Sequence, residues 1–184
     1  PDGTETEAWN AWDCLDPATT WGDDSDHGWT FANALDYDAG ADAYTLGTRN
    51  MSSLIRIDRA TKTCDWVLGG PANTFEFAAG SATFMHQHQF EVRDDTILVF
   101  DNDGSAGSES RVLEYAYDTG TMRVEQIWSY TADPTIYSFV LGDVARMDDG
   151  DTFVVWAVSG QMDRVAPSGD VEWQLNTGLG FAFG

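Results

Sequence analysis

Short runs of alternating apolar and polar residues, rich in Val, Ile, Thr, Tyr and Trp, recur along the whole chain, and Gly or Asp-Gly cuts them every few residues. That alternation is the period of a half-buried β-strand, and helix-period patterns are almost absent, so the sequence predicts an all-β protein. The pattern also repeats. Three strands close on a tryptophan: Asp65-Trp66-Val67-Leu68, Ile127-Trp128-Ser129-Tyr130 and Glu172-Trp173-Gln174-Leu175. Before them stand Leu54-Ile55-Arg56-Ile57-Asp58, Arg111-Val112-Leu113-Glu114-Tyr115 and Met162-Asp163-Arg164-Val165. Ahead of those come the most apolar runs, Tyr44-Thr45-Leu46-Gly47, Thr96-Ile97-Leu98-Val99-Phe100 and Thr152-Phe153-Val154-Val155-Trp156. Each unit opens with a further strand, over 29–37, 84–92 and 137–147, and the turn signals Asp38-Ala39-Gly40, Arg93-Asp94-Asp95 and Asp148-Asp149-Gly150 follow.

The closing tryptophans are separated by about 45 to 60 residues, near the ~40–50 residue period of propeller blades, with a loop insertion in the longer interval. The units therefore predict a β-propeller with three full four-stranded blades, about 29–70, 84–131 and 137–177, in one partial domain. Residues 1–28, with Trp9-Asn10-Ala11-Trp12, read as the closing strand and loop of a preceding blade, and 178–184 as the start of a following one. Three blades cannot close a ring, so the remaining blades are expected from further sequence or a partner chain. The polar opening Pro1-Asp2-Gly3-Thr4 reads in the same way, as the interior of a longer precursor. First strands line the channel of a propeller, and chemistry is to be sought on or just before them.

Several motifs in blade order resemble the bacterial arylsulfotransferase propeller family. They begin with Trp29-Thr30-Phe31-Ala32-Asn33, Thr48-Arg49-Asn50 and Ile57-Asp58-Arg59, and continue through Trp66-Val67-Leu68-Gly69-Gly70, His88-Gln89, Phe100-Asp101-Asn102 and Ser110-Arg111-Val112-Leu113-Glu114-Tyr115 to Trp128-Ser129-Tyr130. The resemblance implies a six-bladed propeller that moves a sulfuryl group from a phenolic ester to another phenol, with channel histidines carrying the chemistry. The physical logic is that a neutral imidazole is a good nucleophile and its conjugate acid protonates a leaving phenolate, while Arg and Asn hold the sulfuryl oxygens. The chain departs from the family at points that matter. The family's first histidine falls on Phe31, and the next falls at Gln87 or on the flanking His86 and His88. An arginine expected after Phe100-Asp101-Asn102 is missing from Asp103-Gly104-Ser105-Ala106-Gly107.

The catalytic candidates are thus His88 and His86, two apart on an expected strand and so on one face of it. Asn33, Arg49 and Arg111 are candidates for substrate binding, against the alternative that each arginine simply pairs with an aspartate. His86 and His88 also have the spacing of two metal ligands, but no nearby third His or Cys completes a site. Asp101 and Asp103 carry oxygens at alternate positions, as calcium loops do, and also fit a tight turn. Calcium is the one cofactor so suggested. His27 reads as a solvated loop histidine.

Charge narrows the partners. Lys and Arg number 9 against 31 Asp and Glu, for a formal net charge of −22. Such a surface repels nucleic acid and anionic lipid, and no apolar run is long enough for membrane insertion. Cys14 and Cys64 lie outside any metal-binding spacing and are expected to form a disulfide joining the outer part of one blade to the next, which suits an extracellular or periplasmic protein. The expected ligand is a small phenol or aryl sulfate. Two functions compete: a sulfotransferase, favoured by Asn33, Arg49 and the histidine pair, and a non-catalytic binding or assembly propeller, favoured by Phe31. A quinone-cofactor dehydrogenase propeller lacks support, for want of a vicinal-cysteine pattern or a paired acidic metal site.

Overall fold

The computed structural model describes residues 3–20, 28–104 and 109–178, and it is all-β apart from two short turns of helix. The first sheet runs in chain order through β1 (Ala32–Asp38), β2 (Ala43–Thr48), β3 (Ser53–Asp58) and β4 (Cys64–Leu68). The second contains β5 (Glu76–Phe77), β6 (Phe90–Val92), β7 (Thr96–Asp101), β8 (Arg111–Asp118) and β9 (Arg123–Tyr130). The third is β10 (Asp143–Arg146), β11 (Thr152–Trp156), β12 (Gln161–Val165) and β13 (Val171–Asn176), again in chain order. Aspartates close the hairpins: Asp38 accepts from the amides of Gly40 and Ala41 at 2.9 and 3.0 Å, and Asp118 does the same for Gly120 and Thr121 at 2.7 and 3.2 Å. This local bonding is what suits Asp to turns.

Strand β7 shows how the sheets stack. Its side chains alternate between two cores: Ile97 and Val99 join Leu54, Trp66 and Leu68 of the first sheet, while Leu98 and Phe100 join Val154 and Trp156 of the third. A strand buried on both faces needs an unbroken apolar run, and this sequence supplies one. Between the second and third sheets, Arg146 lies 5.0 Å from the ring centre of Trp128 and pairs with Glu114. Fully buried Asp163 accepts from Trp156 Nε1 at 2.6 Å and from the amides of Gln161 and Gln174.

The expected blade pattern needs three corrections. First strands are shorter at their starts, because residues 84–89 and 137–142 are irregular and strand pairing begins at Phe90 and Asp143. The insertion before His86 adds β5, which pairs in parallel with the outer edge of β9 and makes the second sheet five-stranded. The third correction concerns the amino-terminal segment, whose described residues 3–20 form no strand. Ala11–Asp13 is a 3₁₀ turn capped by Asn10, whose side chain accepts from Trp12 N at 3.1 Å, and Pro17–Thr20 is one helical turn started by Asp16. Local capping by Asn and Asp overrides a weak strand pattern here. Trp9, Ala11 and Leu15 pack on Ile55, Ile57 and Val67, so the segment covers the outer face of the first sheet.

Cys14 and Cys64 are joined in a disulfide with Cα atoms 6.1 Å apart. It ties the covering segment, and not a second blade, to the start of β4. The residues lie 50 apart in sequence, so replacing both by serine should lower unfolding stability by about 2–4 kcal/mol. The urea midpoint of the double variant checks this, and a midpoint equal to wild type counts against it. No helix among the described residues is long and apolar enough to cross a membrane. His27 and residues 179–184 lie outside the described residues.

Candidate functional site

Ahead of each first strand the backbone makes the same move. Phe31, His86 and Leu141 have φ of 42°, 52° and 58°, the left-handed region that costs a residue with a Cβ roughly 1–3 kcal/mol. Two residues further on stand Asn33, His88 and Asp143. Backbone bonds give the same alignment, since Asn50 N donates to Thr30 O and Asp103 N to Met85 O, both at 3.3 Å. His86, and not Gln87, therefore occupies the place that Phe31 holds in the first blade. Gln87 is fully buried and donates to the carbonyls of Thr48 and Ser53 at 3.2 and 3.0 Å, fastening the second sheet to the first.

The two histidines do not lie on a strand, and the left-handed turn at His86 breaks the alternation on which the same-face expectation rested. Each ring is nevertheless held through Nδ1. His86 Nδ1 meets Asp103 Oδ2, whose other oxygen accepts from Tyr137 Oη at 2.7 Å, and its backbone N–H donates to Ser52 Oγ at 3.1 Å. His88 Nδ1 lies 3.1 Å from Gly142 O. A carbonyl only accepts, so this nitrogen carries the proton and Nε2 of His88 keeps its lone pair.

Burial holds the His88 pKa below the ordinary value of 6.5, and the charge of Arg49 pushes it the same way, against the bond to Gly142 and the charge of Asp143. Asp143 is raised, chiefly by its own burial. The sign for His88 follows from linkage. Below 6.5 the unfolded chain takes up a proton that the folded ring resists, so its contribution favours unfolding as pH falls from 6.5 toward the lowered folded value and vanishes above 6.5. The stability difference between wild type and His88→Gln should therefore change with pH in that window and be flat above it. Denaturation midpoints at several pH values check this, and a flat difference throughout would overturn it.

Arg49 follows the end of β2, with its guanidinium 5.9 Å from the ring centre of Phe31 and Nη1 donating to Asn50 Oδ1 at 3.3 Å. Its charge lowers the pKa of His88 and opposes the rise that the Asp103 bond imposes on Tyr137. Exposed Phe31, Met85, Tyr137 and Phe139 belong to the same segments before the first strands. Asn33 Nδ2 donates to Gln87 O at 2.9 Å and so bridges the first two sheets. The structure thus brings His86, His88, Arg49 and Asn33 to one end of the first strands.

It does not bring Arg111 there. Its Nε pairs with buried Asp101 at 2.9 Å and its Nη2 donates to Thr83 O at 3.0 Å, the fate that an excess of carboxylates makes common for arginine. Asp101 and Asp103 are engaged by other protein groups. Asp101 is spent on Arg111 and on Met85 N, and Asp103 on His86 and Tyr137. Among the described residues no group of three or more His, Cys, Asp or Glu side chains is placed to hold a metal ion.

The model of the arylsulfotransferase (ASST) family matches residues 1–177. The chain belongs to the arylsulfotransferase family. Solved structures agree on the fold. The Cps50 (Swd1) β-propeller domain of Myceliophteria thermophila is similar at a TM-score of 0.52 and 13% identity, over 79% of this chain and 41% of that one. PQQ-bound aldose sugar dehydrogenase of Streptomyces coelicolor gives 0.52 and 13%, over 83% and 48%, and a Lactobacillus plantarum protein 0.54 and 10%, over 85% and 45%. This arylsulfotransferase-family chain thus spans less than half the length of these propeller chains. No curated protein matches it. Sequence reasoning missed Asp103 and Tyr137 as partners of His86, and Asp143 beside His88. The one signal for Asp103 was its run with Asp101, which pointed to cation binding instead.

Proposed function

We propose that this chain forms part of an arylsulfotransferase-like propeller that transfers a sulfuryl group from a phenolic sulfate to a second phenol. The observation that carries the reading is His88, kept neutral by burial, with Nδ1 tied to Gly142 O and a lone pair on Nε2, and with the charge of Arg49 also disfavouring its protonation. Transfer requires a base to take the proton of the accepting phenol as its oxygen bonds to sulfur. It also requires an acid for the donor phenolate as the old S–O bond breaks. Among the described residues His88 and His86 are the imidazoles to which these roles would fall, while Arg49 and Asn33 suit the sulfuryl oxygens.

The disulfide supports an oxidising compartment, outside the cell or in the periplasm. The net charge of −22 supports a small ligand over nucleic acid or an anionic membrane. The channel closes when further blades, six in all, come from additional sequence or a partner chain. Phe31 favours a second reading, a propeller that binds aryl ligands without turning them over, because a phenyl ring at that place moves no proton.

The test is transfer from a chromogenic aryl sulfate to a phenol acceptor, using the full-length protein that contains this chain and no added nucleotide. Release of the coloured phenol with formation of the acceptor sulfate supports the enzyme. Saturable binding of the aryl sulfate without release favours the binding module.

A further inference from the structure

The second blade and the opening of the third hold each other. Asn102, buried directly after β7, donates through Nδ2 to Ser138 O at 2.6 Å and to Leu141 O at 2.8 Å. The oxygen of the same amide has no partner among the described residues, so two donors are what this side chain brings. Leu141 is the left-handed residue of the third blade, and the next carbonyl, Gly142 O, is the one that His88 Nδ1 meets at 3.1 Å. The second blade thus fixes the chain at Leu141, and one residue on that chain fixes His88 of the second blade. The junction between the first two blades has the same last contact. There Asn33, in the place of His88, donates through Nδ2 to the carbonyl of Gln87, in the place of Gly142, at 2.9 Å. The fastening side chain changes sides between the junctions: Gln87 reaches back to Thr48 O and Ser53 O, whereas Gly142 has no side chain and Asn102 reaches forward.

Position 142 requires a glycine. Its φ is 107°, and a Cβ there would lie 2.3, 2.6 and 2.7 Å from three atoms of the fully buried Phe100 ring. His88 N donates to Phe100 O at 3.1 Å, so the ring that a side chain would displace belongs to the residue paired with His88. We infer that Asn102 and Gly142 are positioning residues for His88. Asn102 holds the opening of the third blade in place, and Gly142 O, brought close because position 142 carries no side chain, keeps the imidazole in the Nδ1–H tautomer and in one orientation. The inference deepens the proposed transfer and rests on that reading for its chemical use, but the tautomer can be read without any activity. An imidazole with no fixed acceptor divides its proton between two nitrogens and its ring among several orientations. A carbonyl held at Nδ1 removes that choice.

The experiment is imidazole ¹⁵N NMR on the 184-residue chain at about pH 8, where an ordinary histidine is neutral, with His88 assigned by the loss of its signals in His88→Gln. The wild type should show His88 protonated at Nδ1 and unprotonated at Nε2. Asn102→Ala frees the carbonyls of Ser138 and Leu141, and Gly142→Ala forces the chain away from Phe100. Each should raise the Nε2–H fraction of His88 about fivefold, the bias that one ordinary hydrogen bond supplies. The indole resonance of buried Trp66, in the other core, should stay in place and report an intact fold. In an active protein Asn102→Ala should lower kcat on the order of 10²-fold, with KM changed only a few-fold, as for a misplaced reactive group.

A wild-type His88 in the Nε2–H form overturns the inference whatever the variants do. An unchanged tautomer in a folded Asn102→Ala or Gly142→Ala chain overturns the role of that residue. If a variant does not fold, the wild type still decides through the Asn102 side-chain amide. Its Nδ2 protons, bonded to two carbonyls, should exchange with D₂O at least tenfold slower than those of an exposed amide, and exchange at the exposed rate overturns the clamp. An Nδ1–H wild type whose tautomer shifts in both variants but which transfers no sulfuryl group supports the positioning roles and overturns the transfer reading.

Discussion

Replacing His88 by alanine should slow sulfuryl transfer by on the order of 10²–10⁴, the range for loss of a general acid or base. The site explains why the effect should fall on kcat. His88 takes no part in the buried apolar clusters, and its backbone N–H bond to Phe100 O, at 3.1 Å, survives the substitution. What disappears is the side chain alone. With it goes the neutral nitrogen that burial and Arg49 keep unprotonated below the ordinary range. His88→Gln should be as slow, because an amide can bond to Gly142 but cannot move a proton, and added imidazole should restore part of the alanine variant's rate. A His88→Ala enzyme with wild-type kcat would remove this residue from the mechanism.

The largest effect on stability should come from Trp156→Ala. The indole is fully buried between the second and third sheets, 5.5 Å from the ring of Phe100 and 6.0 Å from that of Tyr130. Emptying such a site costs about 3–5 kcal/mol. The substitution also removes the 2.6 Å bond from Trp156 Nε1 to Asp163, and a buried acceptor left short of a donor adds about 1–3 kcal/mol. A Tm lower by roughly 10 °C or more should follow, read by thermal unfolding. Trp156→Phe separates the two causes, since it keeps a ring in the core but not the donor, and its loss should lie near the smaller figure. Equal losses for Ala and Phe would assign the whole effect to the hydrogen bond.

These two sites differ in how far the sequence announced them. Trp156 ends Thr152-Phe153-Val154-Val155-Trp156, and β7 reads Thr96-Ile97-Leu98-Val99-Phe100; such runs are dictated by burial on both faces and are legible as strands. The order of the closing tryptophans and the Asn, Arg and Asp motifs carried the family. The approach to the first strands was not legible, because left-handed conformations at Phe31, His86 and Leu141 fall on residues with no glycine or asparagine to signal them. The strand pattern runs through them without a break, and such a strand would carry both histidines on one face. Asp103 and Tyr137 stand 34 residues apart and meet only because one blade abuts the next. Arg111 showed the opposite failure, since its match to a family motif said nothing of Asp101 directly across the strand pair. The amino-terminal segment misled for a local reason. Its aromatic residues do cover apolar surface, as those of a closing strand would, but from a capped 3₁₀ turn.

The left-handed turn shared by Phe31, His86 and Leu141 separates chemistry from architecture. The fold repeats one bend in three places, and the three bends carry an aromatic, a basic and an aliphatic residue. Reactivity in such a scaffold is modular. Exchanging the phenyl of Phe31 for an imidazole would place a second titratable ring beside Arg49 while asking the backbone only to keep a bend it already has. One substitution at such a bend therefore adds or removes an imidazole, within the strain that a left-handed residue already carries.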